Sequence, residues 1–264
     1  MVVGIIGGTG FEEILRKGVR KVIKTPFGEI ESAEGEVNGC KVLFIPRHGF
    51  RHQYPPHKVK YKANIFALRQ KGVLKAVGIS AAGAINPQMK PGDIVIVDQF
   101  LDYTKGREYT FYDEELVVHV DMTNPYSPSI RRVLIETAKK LGLRVWEEGT
   151  YVCTEGPRFE TKAEIAMFRL LGGDVVGMTN IPEVILAREM GISYATIVLV
   201  TNFAAGIQPE VTQEEVIEIA KKKEKEIITL LREAIPKIEE LEREEICAKM
   251  DEIVEKFMRK FTRE

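Results

Sequence analysis

The segment "PRHGFRHQYPPH", residues 46–57, concentrates side chains that could perform chemistry. It holds three of the chain's four histidines, spaced H-x3-H-x4-H, together with Arg47 and Arg51. Histidines four apart can bind zinc on a helix, but Gly49 lies between the first two and two prolines precede the third, so we predict a loop. No carboxylate or cysteine joins the cluster, and the arginines would repel a divalent cation, whereas a guanidinium makes a two-pronged contact with phosphate. The segment therefore predicts an anion site rather than a metal site.

Other segments that follow predicted strands offer further anion contacts. In "GIIGGTGF" the glycines let backbone N–H groups approach an oxyanion, and Thr9 adds a hydroxyl. This segment is not a dinucleotide fingerprint, because Glu13 stands where the third glycine belongs, and it lacks the lysine of a triphosphate loop. "ISAAGAINP" places Ser80 at an expected strand end. Thr179 precedes a helix expected near Pro182, whose dipole would favour negative charge. Each segment taken alone is equally typical of a plain turn.

The elements that must position these residues alternate along the chain. Short apolar runs predict strands, and several are continuous enough to be buried on both faces. These runs are "VVGIIG", "CKVLFI", "KAVGIS", "DIVIVD", "VVGMT" and "ISYATIVLVTN". Helical stretches lie between them, which is typical of an α/β fold. Asn38-Gly39 predicts a tight hairpin, so we expect a central mixed, twisted sheet flanked by helices.

Helix ends carry recognisable signals. Ser127 is the expected N-cap of a helix that has Pro128 at its first position and Gly142 at its C-terminal stop. Two capping boxes, Thr161-x-x-Glu164 and Thr212-x-x-Glu215, open further helices. From about residue 213 the chain is almost entirely helical, and we expect Pro236 to break this helical tail in two.

Length and composition restrict the class of protein. The 264 residues are 44% hydrophobic, which suits one domain over residues 1–264. Charges nearly balance, with 38 Lys+Arg against 39 Asp+Glu, so we expect no nucleic-acid partner. No basic leader and no run of eighteen apolar residues occurs, which indicates neither export nor membrane insertion, and the cytoplasm is the expected location. The 3 cysteines are far apart and form no C-x-x-C pair, which fits reduced thiols.

Taken together and in this order, the segments resemble the nucleoside phosphorylase family, specifically the trimeric purine nucleoside and methylthioadenosine phosphorylases. The matching segments are "GIIGGTGF", "PRHGFRHQYPPHKVKYKANI", "SAAGAINPQMKPGDIVIVDQFLD", "EGPRFETKAE" and "GMTNIPEVILAREMGISYATIVLVTN". They cover residues 1–205 nearly without a gap. The resemblance implies a nucleoside phosphorylase-like fold. It also implies a reaction of purine salvage, in which orthophosphate attacks C1′ of a purine nucleoside and releases the base and ribose 1-phosphate.

The resemblance also implies roles for individual residues. The residues implied at the phosphate site are Thr9, Arg47, His48, Ser80, Ala81 and Thr179. Met178 would pack on the sugar, and His52 and Tyr54 match positions close to phosphate and ribose. Further substrate contacts are implied for Phe159, Gly177, Phe203, Ala204 and His119. The candidate catalytic residues are Asn202, Glu160 and His52. Orthophosphate is a co-substrate, and neither a cofactor nor a metal is implied.

The residues expected to contact the base depart from the methylthioadenosine branch. That branch ends its strand in Thr-Asp with a second Asp two residues later, whereas this chain has Thr201-Asn202-Phe203-Ala204. The amide of Asn202 can accept from protonated N7 while it donates to a 6-keto oxygen, which a carboxylate cannot do. This difference favours hypoxanthine or guanine as the leaving base.

Glu160 favours the same bases. In "GPRFE" it takes the place where the 6-oxopurine branch has a glutamate and the methylthioadenosine branch a serine. Its carboxylate would accept from N1–H of a 6-oxopurine, whereas adenine presents a lone pair at N1. When the wrong base leaves buried polar groups of this kind unpaired, a site can discriminate against that base by up to about 10⁴-fold. The alternative is a solvated glutamate ahead of a capped helix.

Several alternatives stay open at this point. The loop of residues 46–57 resembles the methylthioadenosine branch, so the substrate could be 5′-methylthioinosine as well as inosine or guanosine. His119 matches a segment that reaches a neighbouring subunit in the family, which implies a homotrimer or a homohexamer built from two trimers, although a surface histidine is equally plausible. Methylthioadenosine phosphorylase is the main rival function. A nucleoside hydrolase and a non-catalytic purine sensor are the others.

Overall fold

A mixed β-sheet lies at the centre of this protein, for which the computed structural model describes residues 2–8, 11–113 and 116–261. Its strands are β1 (Val2–Gly7), β2 (Arg16–Thr25), β3 (Gly28–Val37), β4 (Cys40–Pro46), β5 (Val73–Ala84), β6 (Ile94–Ile96), β7 (Gln99–Tyr103), β8 (Val145–Trp146), β9 (Thr150–Thr154), β10 (Val175–Gly177) and β11 (Ser193–Phe203). The main strand order is β2-β3-β4-β1-β5-β10-β9-β7. The sheet branches at β5, which also pairs with β11; β11 pairs with β6, and β6 pairs with β8.

The middle of the sheet is parallel and its margins are partly antiparallel. β4, β1, β5 and β11 run in one direction, whereas β3 opposes β4 and β10 opposes β5. The residues of β1 and β11 are almost all buried, as continuous apolar runs require when both faces of a strand are covered. The expected α/β fold with a mixed sheet is confirmed.

Helices cover both faces of the sheet. They are α1 (Tyr61–Gln70), α2 (Pro128–Lys140), α3 (Lys162–Leu170), α4 (Glu183–Glu189), α5 (Gln213–Glu240), α6 (Glu245–Ala248) and α7 (Asp251–Arg259), with 3₁₀ turns at Phe11–Ile14 and Pro56–Lys58. Buried residues of α1, α4 and α7 share one hydrophobic cluster. Buried residues of α2 and α5 share another with the opposite side chains of β1 and β11. No helix among the described residues is long and apolar enough to cross a membrane.

The predicted hairpin turn, the cap of α2 and the capping box of α3 are confirmed, whereas the capping box of α5 is only half formed. Asn38 and Gly39 join β3 to β4 with φ of 48° and 86°, the left-handed geometry of a two-residue hairpin. The Ser127 side chain accepts from the N–H of Ile130 and caps α2. The capping box of α3 is complete, whereas at α5 the Thr212 hydroxyl caps the helix and the Glu215 carboxylate accepts from Gln208.

The expected break at Pro236 is wrong, because α5 continues through Pro236 to Glu240. A proline has no N–H to give to the carbonyl four residues earlier, here that of Arg232. The side-chain amide of Asn38 donates to this carbonyl over 2.9 Å. A donor outside the helix thus replaces the N–H group that Pro236 lacks. The chain leaves the helix only at Leu241.

Candidate functional site

The predicted anion-binding residues gather where the parallel strands end. The histidine loop, residues 46–57, follows β4, and the parallel strands β1, β5 and β11 end on the same side. In open α/β sheets, ligands usually bind at the carboxyl ends of the parallel strands. β5 continues past Ser80 to Ala84, so Ser80 and Ala81 lie within the strand, whereas we expected the strand to end at Ser80. Ala81 is exposed between buried neighbours, which opens the surface of the strand at this point.

Arg47 is held by an ion pair that the sequence did not reveal. Its Nε and Nη2 donate to the two carboxylate oxygens of Glu183 over 2.7 and 2.6 Å. Nη1 donates to the carbonyl of Ile79 over 2.7 Å, and Nη2 also lies 3.4 Å from the carbonyl of Ile6. Both side chains are buried, at 2% and 0% exposure. Since a guanidinium has five N–H groups, this arrangement fixes its plane and leaves one N–H of Nη1 for a ligand.

The histidine loop closes on itself. The Nδ1 atom of His48 lies 2.7 Å from the carbonyl oxygen of Tyr54, and the N–H of Tyr54 donates back to the carbonyl of His48 over 3.1 Å. Gly49 has a φ of 76°, and a Cβ there would lie 2.3 Å from the side chain of Gln53. His52 adopts a φ of 54°, and its ring stacks on that of His48 at 4.7 Å. The loop therefore presents two stacked imidazoles next to Arg47.

The charge and the tautomer of His48 follow from its surroundings. Burial lowers the pKa of His48 to about 4, and the positive charge of Arg47 acts in the same direction. The ring is thus neutral near pH 7. Because a carbonyl oxygen can only accept, Nδ1 carries the proton, and Nε2 presents a lone pair.

Ser80 and Thr179 bring their hydroxyl groups together. Their oxygens lie 3.1 Å apart, and the side chains belong to β5 and to the segment between β10 and α4. Tyr151 of β9, which the sequence did not single out, has its hydroxyl 3.2 Å from that of Ser80. All three residues are buried. The predicted phosphate residues Ser80 and Thr179 are therefore adjacent.

Glu160 is fixed by a threonine at the end of β9. The hydroxyl of Thr154 donates to Glu160 over 2.6 Å and lies 3.4 Å from the carbonyl of Gly177. Burial raises the pKa of the Glu160 carboxyl, and the hydrogen bond from Thr154 partly opposes this effect. Glu160 is therefore not a fully solvated glutamate, and its carboxylate forms no ion pair among the described residues.

The amide of Asn202 has one orientation. Its Oδ1 accepts from the hydroxyl of Thr201 over 2.8 Å, and its Nδ2 donates to the carbonyl of Phe203 over 2.9 Å. The side chain is 5% exposed. A Cβ at Gly83 would lie 3.0 Å from Nδ2, so the glycine leaves room for the amide beside β5. One N–H of the amide and one lone pair of Oδ1 remain for a ligand.

The other predicted substrate residues lie in different surroundings. Met178 lies against Gly156, where a Cβ would be 2.6 Å from its sulfur. Phe159 is 40% exposed, and Ala204 is buried in a hydrophobic cluster. His119 is exposed on a segment without regular secondary structure. Thr9 lies outside the described residues.

Four residues that the sequence analysis missed hold the predicted ones in place: Glu183, Tyr151, Thr154 and Thr201. Only Thr201 carried a local signal, because it precedes Asn202 in the chain. The contacts of Glu183, Tyr151 and Thr154 with the predicted residues became apparent only from the folded structure.

The described residues contain no group of three or more His, Cys, Asp and Glu side chains that could hold a metal ion. A surface cavity of about 800 Å³ lies at the start of β1 and β4, lined by Val2, Lys41 and Lys71 among others. It contains none of the predicted site residues.

Three comparisons relate this chain to known proteins. The profile of the phosphorylase superfamily matches residues 2–236. The 6-oxopurine nucleoside phosphorylase of Pyrococcus furiosus is 50% identical over 245 residues, which cover 89% of this chain and 92% of the relative. The S-methyl-5'-thioadenosine phosphorylase of Pyrococcus abyssi is 50% identical over 248 residues, covering 93% and 96%. A structure of methylthioadenosine phosphorylase from Schistosoma mansoni in complex with tubercidin has a TM-score of 0.89 at 34% identity, covering 97% and 98%.

The profile spans most of the chain, and both relatives match it over nearly their whole length. The chain therefore belongs to the phosphorylase superfamily, among the purine nucleoside and methylthioadenosine phosphorylases, and is a nucleoside phosphorylase that transfers a pentosyl group to phosphate.

Proposed function

We propose that this enzyme cleaves 6-oxopurine nucleosides, namely inosine, guanosine or 5′-methylthioinosine, with orthophosphate as the acceptor of the sugar. The observation that carries this proposal is the fixed amide of Asn202. Its free N–H can donate to O6 while its Oδ1 accepts from N7–H of the departing base. An aspartate in the same place would direct a carboxylate oxygen at the carbonyl of Phe203, where the amide now donates over 2.9 Å. The local structure thus supports an amide and disfavours an acid.

Glu160 supports the same substrate class. Because Thr154 occupies one carboxylate oxygen, the other is left to accept from N1–H of a 6-oxopurine. Adenine has a lone pair at N1 and would face the carboxylate with no proton between them. The two residues together would recognise three atoms of one purine base, N1, O6 and N7.

In the proposed reaction the enzyme holds phosphate below the sugar. As the glycosidic bond loosens, positive charge gathers on the ribose and negative charge on the purine, so the enzyme must stabilise both. We assign phosphate binding to Arg47, Ser80 and Thr179, and the Nε2 atom of the neutral His48 accepts a hydrogen bond from an O–H group of the phosphate. Asn202 stabilises the base as N7 becomes protonated.

Methylthioadenosine phosphorylase is the second candidate. The relatives support it to the same degree, since a protein of that name is also 50% identical to this chain. The difference between the two functions depends on the base contacts, so a substrate panel distinguishes them.

The test is a panel of inosine, guanosine, adenosine, methylthioadenosine and methylthioinosine, each with and without phosphate. We expect kcat/KM for the 6-oxopurine nucleosides to be well above that for adenosine and methylthioadenosine. The Asn202→Asp variant should narrow or reverse this preference, more so together with Glu160→Ser, because both side chains are proposed to contact the same purine base. Asn124→Asp makes the same chemical change at an exposed asparagine and is the control. A wild-type preference for methylthioadenosine over all the 6-oxopurine nucleosides would establish the second candidate.

We also propose that the enzyme is a homotrimer or a dimer of trimers. α3 exposes an apolar stripe at helical spacing, formed by Ala163, Ala166, Met167 and Leu170, and Leu170 is 89% exposed. Val117, which is 80% exposed, lies two residues from His119 on the same irregular segment. Exposed apolar surface of this kind is typical of interfaces.

Light scattering of the purified protein tests the oligomer. We expect the mass of three or six chains, and Leu170→Glu should lower it, whereas Leu141→Glu, at another exposed leucine, should not. A fully active monomer would rule out a shared site.

A further inference from the structure

Tyr151 supplies a hydroxyl group to the phosphate residues from inside the sheet. Its oxygen lies 3.2 Å from the hydroxyl of Ser80, which in turn lies 3.1 Å from that of Thr179. Tyr151 is 0% exposed, whereas Ser80 and Thr179 are 6% and 7% exposed. The Ser80 hydroxyl thus lies between those of Tyr151 and Thr179, and Tyr151 is the most deeply buried of the three residues.

The neighbouring strand is shaped around this tyrosine. A Cβ on Gly177 would lie 2.0 Å from the hydroxyl oxygen of Tyr151 and 2.7 Å from its Cζ. Any side chain at residue 177 would displace the phenol from Ser80. The glycine therefore permits the contact between the two hydroxyl groups.

The direction of the hydrogen bonds decides whether the Ser80 proton is available to an anion. A serine hydroxyl has one proton, and Ser80 has three oxygens nearby in the described part of the chain: Tyr151 Oη, Thr179 Oγ1 and, at 3.4 Å, its neighbour's carbonyl in Ala81. If the phenol donates to Ser80, the serine proton is free to turn towards an anion. Burial raises the pKa of Tyr151, so the phenol keeps its proton at neutral pH. A hydroxyl that accepts a hydrogen bond is also a stronger donor, so the bond from the phenol strengthens Ser80 as a donor.

We propose that Tyr151 is a positioning residue of the phosphate site, which orients the Ser80 hydroxyl as a donor to phosphate without touching the phosphate itself. This inference rests on the proposed function, because it requires that Ser80 and Thr179 bind orthophosphate.

The chain offers a matched control for the hydroxyl. Tyr126 is also buried, at 1% exposure, and its hydroxyl has no hydrogen-bond partner among the described residues. Tyr151→Phe and Tyr126→Phe each remove one buried phenolic oxygen. Only Tyr151→Phe removes one that contacts Ser80.

The experiment measures initial rates of the full-length enzyme against phosphate at saturating inosine, and against inosine at saturating phosphate. We expect Tyr151→Phe to raise the KM for phosphate about 3- to 10-fold, the effect of one neutral hydrogen bond. The KM for inosine should stay within about twofold, a split that a general packing defect would not produce. Tyr126→Phe should change neither KM beyond about twofold.

A double-mutant cycle tests the route through Ser80. Because Tyr151 acts on phosphate only by orienting Ser80, Tyr151→Phe should add nothing further to the KM for phosphate in a Ser80→Ala background. Independent, multiplying effects would overturn the proposal, as would an unchanged KM for phosphate in Tyr151→Phe. Equal rises in both KM values would also overturn it. If the wild-type enzyme forms product without phosphate, the proposed function fails first and the inference falls with it.

Discussion

The ion pair between Arg47 and Glu183 gives the sharpest prediction for stability. Glu183→Gln keeps the size and one carbonyl oxygen of the side chain but leaves the Arg47 charge without a counterion. The two side chains are 2% and 0% exposed, so water cannot replace the lost carboxylate. Breaking a buried pair by changing one partner costs about 3–5 kcal/mol. Since glutamine can still accept one hydrogen bond, we expect a value near the lower end, about 3 kcal/mol.

Thermal unfolding followed by circular dichroism measures this loss. For chains of this size a loss of about 3 kcal/mol lowers Tm by roughly 6–12 °C. Glu245→Gln is the control, because it makes the same chemical change in an ion pair with Lys249 at 2.9 Å, in which the glutamate is 82% exposed. We expect the Tm of the control variant to equal that of the wild type, since exposed ion pairs contribute little to stability.

A second variant tests the cause of the loss. Arg47→Met removes the charge that Glu183→Gln leaves unpaired, so the double variant should lose less stability than the sum of the two single variants. The reasoning would be refuted if Glu183→Gln melts like Glu245→Gln, or if the two single losses simply add.

Three further predictions follow from other contacts. Burial raises the pKa of Glu160, so its protonated form, which can donate to N1 of adenine, gains population as pH falls. The ratio of kcat/KM for adenosine to kcat/KM for inosine should therefore rise as pH falls, and the Glu160→Gln variant should not show this pH dependence. Burial lowers the pKa of His48 to about 4, so its ring resonances, assigned with a His48→Gln variant, should remain those of a neutral imidazole from pH 8 down to about pH 5. Asn38→Gly keeps the turn geometry but removes the donor to the Arg232 carbonyl, and urea unfolding should show a loss of about 0.5–1 kcal/mol that shrinks in a Pro236→Ala background.

The sequence predicted the local elements well because their signals lie within a few residues. The hairpin at Asn38 and Gly39 depends on two left-handed residues, and the cap of α2 depends on Ser127 and an amide three residues away. The strands β1, β4, β5, β6, β10 and β11 could be recognised from their apolar runs, whereas β2, β7, β8 and β9 were not predicted. The expected break at Pro236 was wrong for the opposite reason, since the donor that sustains the helix is Asn38, 194 residues away.

For the candidate site, the sequence by itself determined which side chains are present: two arginines and three histidines in a loop without carboxylates, and an amide where a related branch has an acid. It could not determine what these side chains contact. Glu183 lies 136 residues from Arg47, and Tyr151 lies 71 residues from Ser80. Only the tertiary structure decided that Arg47 is charge-paired and that His48 is neutral, because a charge state depends on burial and on neighbours that the folded sheet brings together.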